Sequence, residues 1–117
     1  KNNIIFIGGR KMENYLFDFN TFVSELVNYH IRMNKNISVA LLSEKIGLSN
    51  SFVQKALYTP KEKHFNLKHI FLISNVLNLS IENFLPSTEN YKLLTNKDLN
   101  DDEWEKFLNN LKKENNE

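Results

Sequence analysis

The chain has 117 residues, of which 41% are hydrophobic, enough for one domain with a buried core. It contains no cysteine, which excludes a disulfide framework and thiolate chemistry and suits a reducing cytoplasm, where we expect the protein. Residues 1–85 carry ten Lys/Arg against six Asp/Glu, whereas residues 86–117 carry five against eight. A basic body with an acidic tail permits nucleic acid as a partner without requiring it, and no apolar run approaches the roughly 20 residues that cross a bilayer.

The first eleven residues differ from the rest of the chain, because they lack helical periodicity and contain two of the three glycines. Two interpretations stay open for this segment. Gly8 to Met12 match what a purine-rich ribosome-binding site encodes when it is read in frame, which would make Met12 the natural start. Alternatively, the segment is an edge strand or a flexible arm. We treat residues 1–17 as an N-terminal arm, and mapping the N-terminus of the protein from its own host distinguishes the two origins.

Apolar residues spaced with a period of 3.6 predict helices over residues 18–34, 38–46 and 49–58. A fourth helix starts after Asn66, and a short fifth helix starts after Ser80. All five belong to one domain that ends at position 86, and the predicted fold is all-α.

The pattern changes beyond that domain. Residues 87–99 show little periodicity and are predicted to form a linker. Residues 100–117 form a last amphipathic helix, which Asn100 and Glu103 begin as a capping box. Its apolar stripe either folds back onto the body or pairs with the same helix of a second chain, and we slightly favour the dimer. The dimerisation candidates are Trp104, Phe107, Leu108 and Leu111.

The segment over residues 38–58 is typical of a helix-turn-helix. Leu42 and Ile46 share one helix face, Gly47 can adopt the left-handed conformation that ends the helix, and Ser49 can cap the next one. An apolar pair, a glycine turn and a short polar-faced helix are the pattern in which the second helix enters the major groove of DNA.

The outer face of that second helix carries the candidate DNA contacts. Gln and Asn can bond adenine through two atoms, Lys can reach guanine or phosphate, and a helix N-terminus offers N–H groups to phosphate. The ordinary alternative is a solvated polar face followed by solubilising lysines. The candidates are Ser38, Ser49, Asn50, Ser51, Gln54, Lys55, Tyr58, Lys61 and Lys63.

From about Phe22 to Leu85 the chain resembles the phage-repressor-like (Xre/Cro/CI) family of helix-turn-helix DNA-binding domains. The resemblance is carried by Ile37-Ser38, by LSEKIGLS over 42–49 and by LNLSIENFL over 77–85. It implies a five-helix fold, double-stranded DNA as partner and a homodimer on two half-sites.

The chain departs from the family pattern at several positions. Val39 stands where the family often has a glutamine that contacts phosphate, and Leu57 and Thr59 replace the usual glutamate and glycine at the end of the third helix. The resemblance would pair Arg32 with that missing glutamate. These departures weaken the expectations for DNA docking more than those for the fold.

Other classes of function find little support in the sequence. His30, His64 and His69 match no zinc signature, and we expect no metal and no cofactor. Phosphate loops and nucleophile motifs are absent, so we expect no enzyme. The sequence therefore predicts a DNA-binding transcriptional regulator, of the repressor type. The alternatives are a protein-interaction module of the same shape without DNA binding, or an antitoxin whose acidic tail contacts a basic toxin.

Overall fold

The computed structural model describes residues 18–114 and, as backbone, residues 4–7 and 10–13. Strands β1 (Ile4–Ile7) and β2 (Arg10–Glu13) form an antiparallel hairpin in which Ile4 lies opposite Glu13. The described backbone of the N-terminal arm thus follows the strand alternative, while the origin of the segment stays a prediction. The rest of the predicted arm, and the last three residues of the C-terminal helix, lie outside the described residues.

Residues 18–114 are helical, which confirms the all-α class for this part of the chain. A 3-10 helix at Ile81–Phe84 separates the fourth and fifth α-helices. The α-helices are α1 (Phe19–Met33), α2 (Val39–Ile46), α3 (Asn50–Tyr58), α4 (Leu67–Leu77), α5 (Thr88–Thr95) and α6 (Asp101–Lys113). None of these described helices is both long and apolar enough to span a membrane.

Side-chain caps fix most of the predicted helix starts, because each satisfies a backbone N–H group that the first turn leaves open. The Asp18 carboxylate accepts a hydrogen bond from the Thr21 N–H at 2.8 Å, and Asn100 and Glu103 form the predicted capping box. Ser49, Asn66 and Asn100 cap their helices as the sequence predicted, and the caps of α1 and α2 are Asp18 and Ser38.

The predicted fifth helix is a short 3-10 helix and not an α-helix. Asn78 ends α4 in the left-handed conformation, with a φ of 58°, and Pro86 follows soon after. This spacing leaves room for little more than one turn, and the Ser80 side chain makes no capping hydrogen bond. The segment therefore forms a 3-10 helix, whose Phe84 is fully buried.

The prediction of a linker over 87–99 was wrong, because this segment contains α5. The Ser87 hydroxyl accepts a hydrogen bond from the Asn90 N–H at 2.9 Å, and Asn96 ends the helix with a φ of 62°. Among the residues of this helix, only Tyr91 is buried. A helix that buries one side chain needs no apolar stripe, and for this reason the sequence pattern did not reveal it. The signals that mark α5 are the cap at Ser87 and the turn residue Asn96.

Two hydrophobic clusters lie on adjacent faces of α1. The second cluster joins Phe22 and Leu26 to Tyr91 of α5 and Phe107 of α6, with the Phe22 ring centroid 6.3 Å from Tyr91 and 5.8 Å from Phe107. The first cluster joins α1 to α2, α3, α4 and the 3-10 helix; it consists of Val23, Val27, Ile31, Leu42, Ile46, Val53, Ala56, Leu57, Phe65, Ile70, Ile73, Leu77 and Phe84.

The apolar stripe of α6 packs within the chain. Phe107 is 2% exposed, and Trp104, Leu108 and Leu111 pack against the second cluster while partly buried. The structure thus follows the alternative in which the stripe folds back onto the body, because the aromatic rings on α1 and α5 need its cover. The stripe that we favoured for dimerisation is not a free surface in this arrangement.

Candidate nucleic-acid interface

The turn over 47–49 sets the direction of α3 relative to α2. Gly47 has a φ of 75°, a conformation that residues with a side chain rarely adopt. The Leu48 N–H donates to the Ser43 carbonyl oxygen at 3.0 Å, and the Ser49 hydroxyl accepts from the Phe52 N–H at 3.0 Å. Both ends of this short turn are therefore held by hydrogen bonds, so α3 begins directly after it.

The inner face of α3 is anchored in the core. Val53, Ala56 and Leu57 are each 0% exposed and belong to the first cluster. The Ser24 hydroxyl of α1 also donates a hydrogen bond to the Ala56 carbonyl oxygen. This anchoring fixes the rotation of α3 about its axis, and the other side of the helix faces outward.

The outer face of α3 consists of exposed polar side chains, together with an aromatic ring that is 47% exposed. At about 100° per residue, these positions span an arc of about 140°. No hydrogen bond among the described residues engages the side-chain amide of Asn50 or Gln54. The face consists of Asn50, Ser51, Gln54, Lys55 and Tyr58.

The loop after α3 folds back on the end of the helix. The Thr59 hydroxyl donates to the Lys55 carbonyl oxygen at 2.8 Å, and the Thr59 carbonyl oxygen accepts from the N–H groups of Glu62 and Lys63. Pro60 is buried, whereas Lys61 and Lys63 are exposed. These bonds place both lysines beside the C-terminal end of α3, where they add positive charge to the same region.

An aromatic group holds the loop against α4. The Phe52 ring centroid lies 6.3 Å from Phe65 and 5.3 Å from His69, both in edge-to-face geometry. His69 Nδ1 also accepts a hydrogen bond from the Asn66 N–H at 3.1 Å. Burial lowers the pKa of His69, and the nearby Lys68 lowers it further. Phe52 is therefore a packing residue, which the helical pattern of the sequence did not reveal.

All the predicted DNA contacts lie on the described surface, since each is classed as exposed. Two of these residues also cap helices: the Ser38 hydroxyl accepts a hydrogen bond from the Leu41 N–H at 3.1 Å, and the Ser49 hydroxyl caps α3. Their oxygens hold the helix starts, and their O–H groups are left to donate. Arg32 is exposed and forms no ion pair with the described residues, so the pairing implied by the resemblance is not seen there.

Comparison with known proteins gives one informative result. No family model matches the chain, and no curated protein matches it. Among solved structures, the hypothetical transcription factor NHTF from Neisseria has a similar fold, with a TM-score of 0.52 and 23% sequence identity. The similarity covers 65% of this chain and 83% of that one. At this level of identity the comparison shows a shared fold.

Proposed function

We propose that this chain is a sequence-specific DNA-binding transcriptional regulator of the repressor type, which places α3 in the major groove and has no catalytic role. The observation that carries the proposal is the outer face of α3, where amide, hydroxyl and ammonium groups stand exposed over a fully buried inner face. A helix fixed on one side and polar on the other is what base recognition requires. The fold shared with a protein described as a hypothetical transcription factor supports the proposal.

The groups around α3 divide into two roles in this proposal. The N-termini of α2 and α3, at Ser38 and Ser49, supply N–H groups to the DNA backbone. Lys61 and Lys63 neutralise phosphates beside the groove, which makes binding strongly dependent on salt. The outer face of α3 then reads base edges.

The proposal includes a homodimer, because one recognition helix gives limited affinity and two half-sites give more. It also includes control by a toxin or another regulatory protein. The start of α6 carries Asp101, Asp102 and Glu103, all exposed, and this acidic surface suits a basic partner.

The second candidate function is a protein-interaction module without DNA binding. Val39 favours it, because this apolar residue packs partly buried against the first cluster at the position where the resemblance implies a phosphate contact. The weak net charge of +1 points the same way.

Fluorescence anisotropy with short duplexes tests these candidates, using the DNA upstream of the protein's own gene and several salt concentrations. We expect specific binding that weakens with salt and is lost in a Gln54→Ala, Lys55→Ala double variant. The matched control is Asn110→Ala, Lys112→Ala, which removes the same kinds of exposed group from α6. Binding that the first variant retains moves the contact surface away from α3. Absence of binding at low salt makes the interaction module the better account.

A further inference from the structure

Helix α4 carries a pair of exposed apolar side chains. Leu67 is 69% exposed and Phe71 is 55% exposed, and because they stand four positions apart they share one face of the helix. Another side of α4 is anchored in the first cluster through Ile70 and Ile73, which fixes the direction of the pair. The other large apolar side chains exposed on the described residues stand singly, since no two of them are three or four positions apart in one helix. Single exposed apolar residues are ordinary, whereas a pair on an anchored helix is a candidate contact surface.

The pair lies on the outer side of a helix that packs beside α3. The ring centroid of His69, in the first turn of α4, lies 5.3 Å from that of Phe52, in the first turn of α3. At about 100° per residue, His69 stands roughly opposite to Leu67 and Phe71 on α4, so the pair faces away from α3. A second copy on a neighbouring DNA half-site would approach from beyond the elements that flank α3. The pair is therefore placed where such a copy can meet it.

A second copy of this chain suits the pair, because the pair is complementary to itself. When two α4 helices pack antiparallel about a two-fold axis level with position 69, Leu67 of each copy meets Phe71 of the other. The four apolar side chains then cover one another without a further element from either chain. Helix α4 carries one lysine, Lys68, and no acidic residue, so no ion pair between the two α4 helices assists the contact.

The contact is too small to hold two copies together in free solution. Two side chains from each copy bury on the order of 500 Å² in total, whereas a stable interface buries about 1,200–2,000 Å². The like charges of the two Lys68 ammonium groups oppose the contact until nearby phosphates neutralise them. On neighbouring half-sites, however, two chains are held at a high effective concentration, at which a weak contact suffices.

We propose that Leu67 and Phe71 form the contact between two copies of this chain, and that the copies pair when DNA carries both of them. The apolar stripe of α6 is used within the chain, so the pair on α4 supplies the contact that a homodimer on two half-sites needs. This inference rests on the proposed function, because it assumes that each copy binds DNA through α3.

Mobility-shift titration with the full chain tests the inference, because it separates duplexes that carry one chain from those that carry two. The probes are duplexes selected by the wild type from a random pool and rebuilt with one half-site, with two half-sites as an inverted repeat, or with two as a direct repeat. On the inverted repeat, we expect the second copy to bind about 5- to 150-fold more tightly than the first. The direct repeat should give no such gain, because its copies are related by translation and not by a two-fold axis. Without DNA, the wild type should have the solution mass of one chain.

A Leu67→Gln, Phe71→Gln double variant should lose the gain and keep the wild-type affinity for the single half-site, which also shows that it is folded. The matched control is Met33→Gln, Leu93→Gln, which replaces two exposed apolar side chains on α1 and α5 and should keep the gain. Absence of the gain in the wild type, its persistence in the first variant, or a dimer without DNA overturns the inference but leaves the proposed function standing. Absence of binding to every duplex at low salt overturns the proposed function and the inference with it.

Discussion

The two faces of α1 support two regions that differ in chemistry. The first cluster is largely aliphatic, and above it α3 presents amides, hydroxyls and a lysine without any acidic residue. The second cluster is built around the rings of Phe22, Tyr91 and Phe107, and the helix that covers it begins with consecutive acidic residues. Residues 21–28 of α1 are all buried, so one helix holds both regions together. The proposed recognition surface and the aromatic cluster therefore lie over different faces of α1, and variants can separate them.

The largest expected effect comes from opening the second cluster. Phe107→Ala removes a ring that is 2% exposed and should lower the free energy of unfolding by about 3–5 kcal/mol, as measured by urea denaturation. Leu42→Ala, in the first cluster, is the comparison, with an expected loss of about 2–5 kcal/mol. At urea concentrations below the midpoint of its unfolding transition, the Phe107→Ala variant should keep the solution mass of the wild type. A change from dimer to monomer would instead give the α6 stripe a part in assembly.

The sequence predicts the two regions unequally well, and the reason is the range of the interactions. The starts of α2 and α3 follow from local chemistry, since Ser38 and Ser49 cap groups only three residues ahead. The position of the α6 stripe depends on aromatic rings that lie far away in the sequence. The sequence of α5 has too little apolar periodicity to predict a helix there. The exposure of Gln54 was predictable from periodicity, whereas the packing of the partly buried Phe52 against Phe65 and His69 was not.

Removing a capping residue on each side gives a smaller effect. Asn66 and Asn100 both form complete capping boxes, one beside the first cluster and one at the helix that covers the second. Replacement of either by alanine should lower the free energy of unfolding by about 1 kcal/mol, with a range of about 0.5–2 kcal/mol. The exposed Asn110 on α6, replaced in the same way, serves as the control. An effect of Asn110→Ala equal to that of Asn100→Ala would contradict the role of the capping box.

The two regions should also differ in their response to pH. Burial lowers the pKa of His30 below its usual 6.5, partly opposed by the Asn83 backbone, and the pKa of His69 is lowered too. Because the unfolded chain then binds these protons more readily, stability should fall as the pH decreases below 6.5. Burial raises the pKa of Tyr91 above its usual 10.0, and Glu103 raises it further, against the hydrogen bond of Thr95. Stability should therefore also fall as the pH rises above 10.0.

Single variants test which cluster causes the loss of stability in acid and which causes the loss in alkali. His30→Phe keeps a ring against Phe84, whose centroid lies 5.1 Å from that of His30, and should reduce the loss of stability in acid. Tyr91→Phe should reduce the loss in alkali and leave the acid side unchanged. Thermal unfolding across the pH range measures both. If His30→Phe altered only the alkaline side, the assignment of the acid response to the first cluster would be wrong.

The smallest expected effect on stability belongs to Gln54→Ala. The side chain is exposed and no described group bonds its amide, so the free energy of unfolding should change by no more than about 0.5 kcal/mol. The same substitution is expected to weaken DNA binding, whereas Phe107→Ala is expected to act mainly on stability. Denaturation and duplex binding, measured on one preparation, test both halves of this contrast. A large loss of stability would mean that Gln54 supports the fold, and any weaker DNA binding would then follow from unfolding and not from a lost base contact.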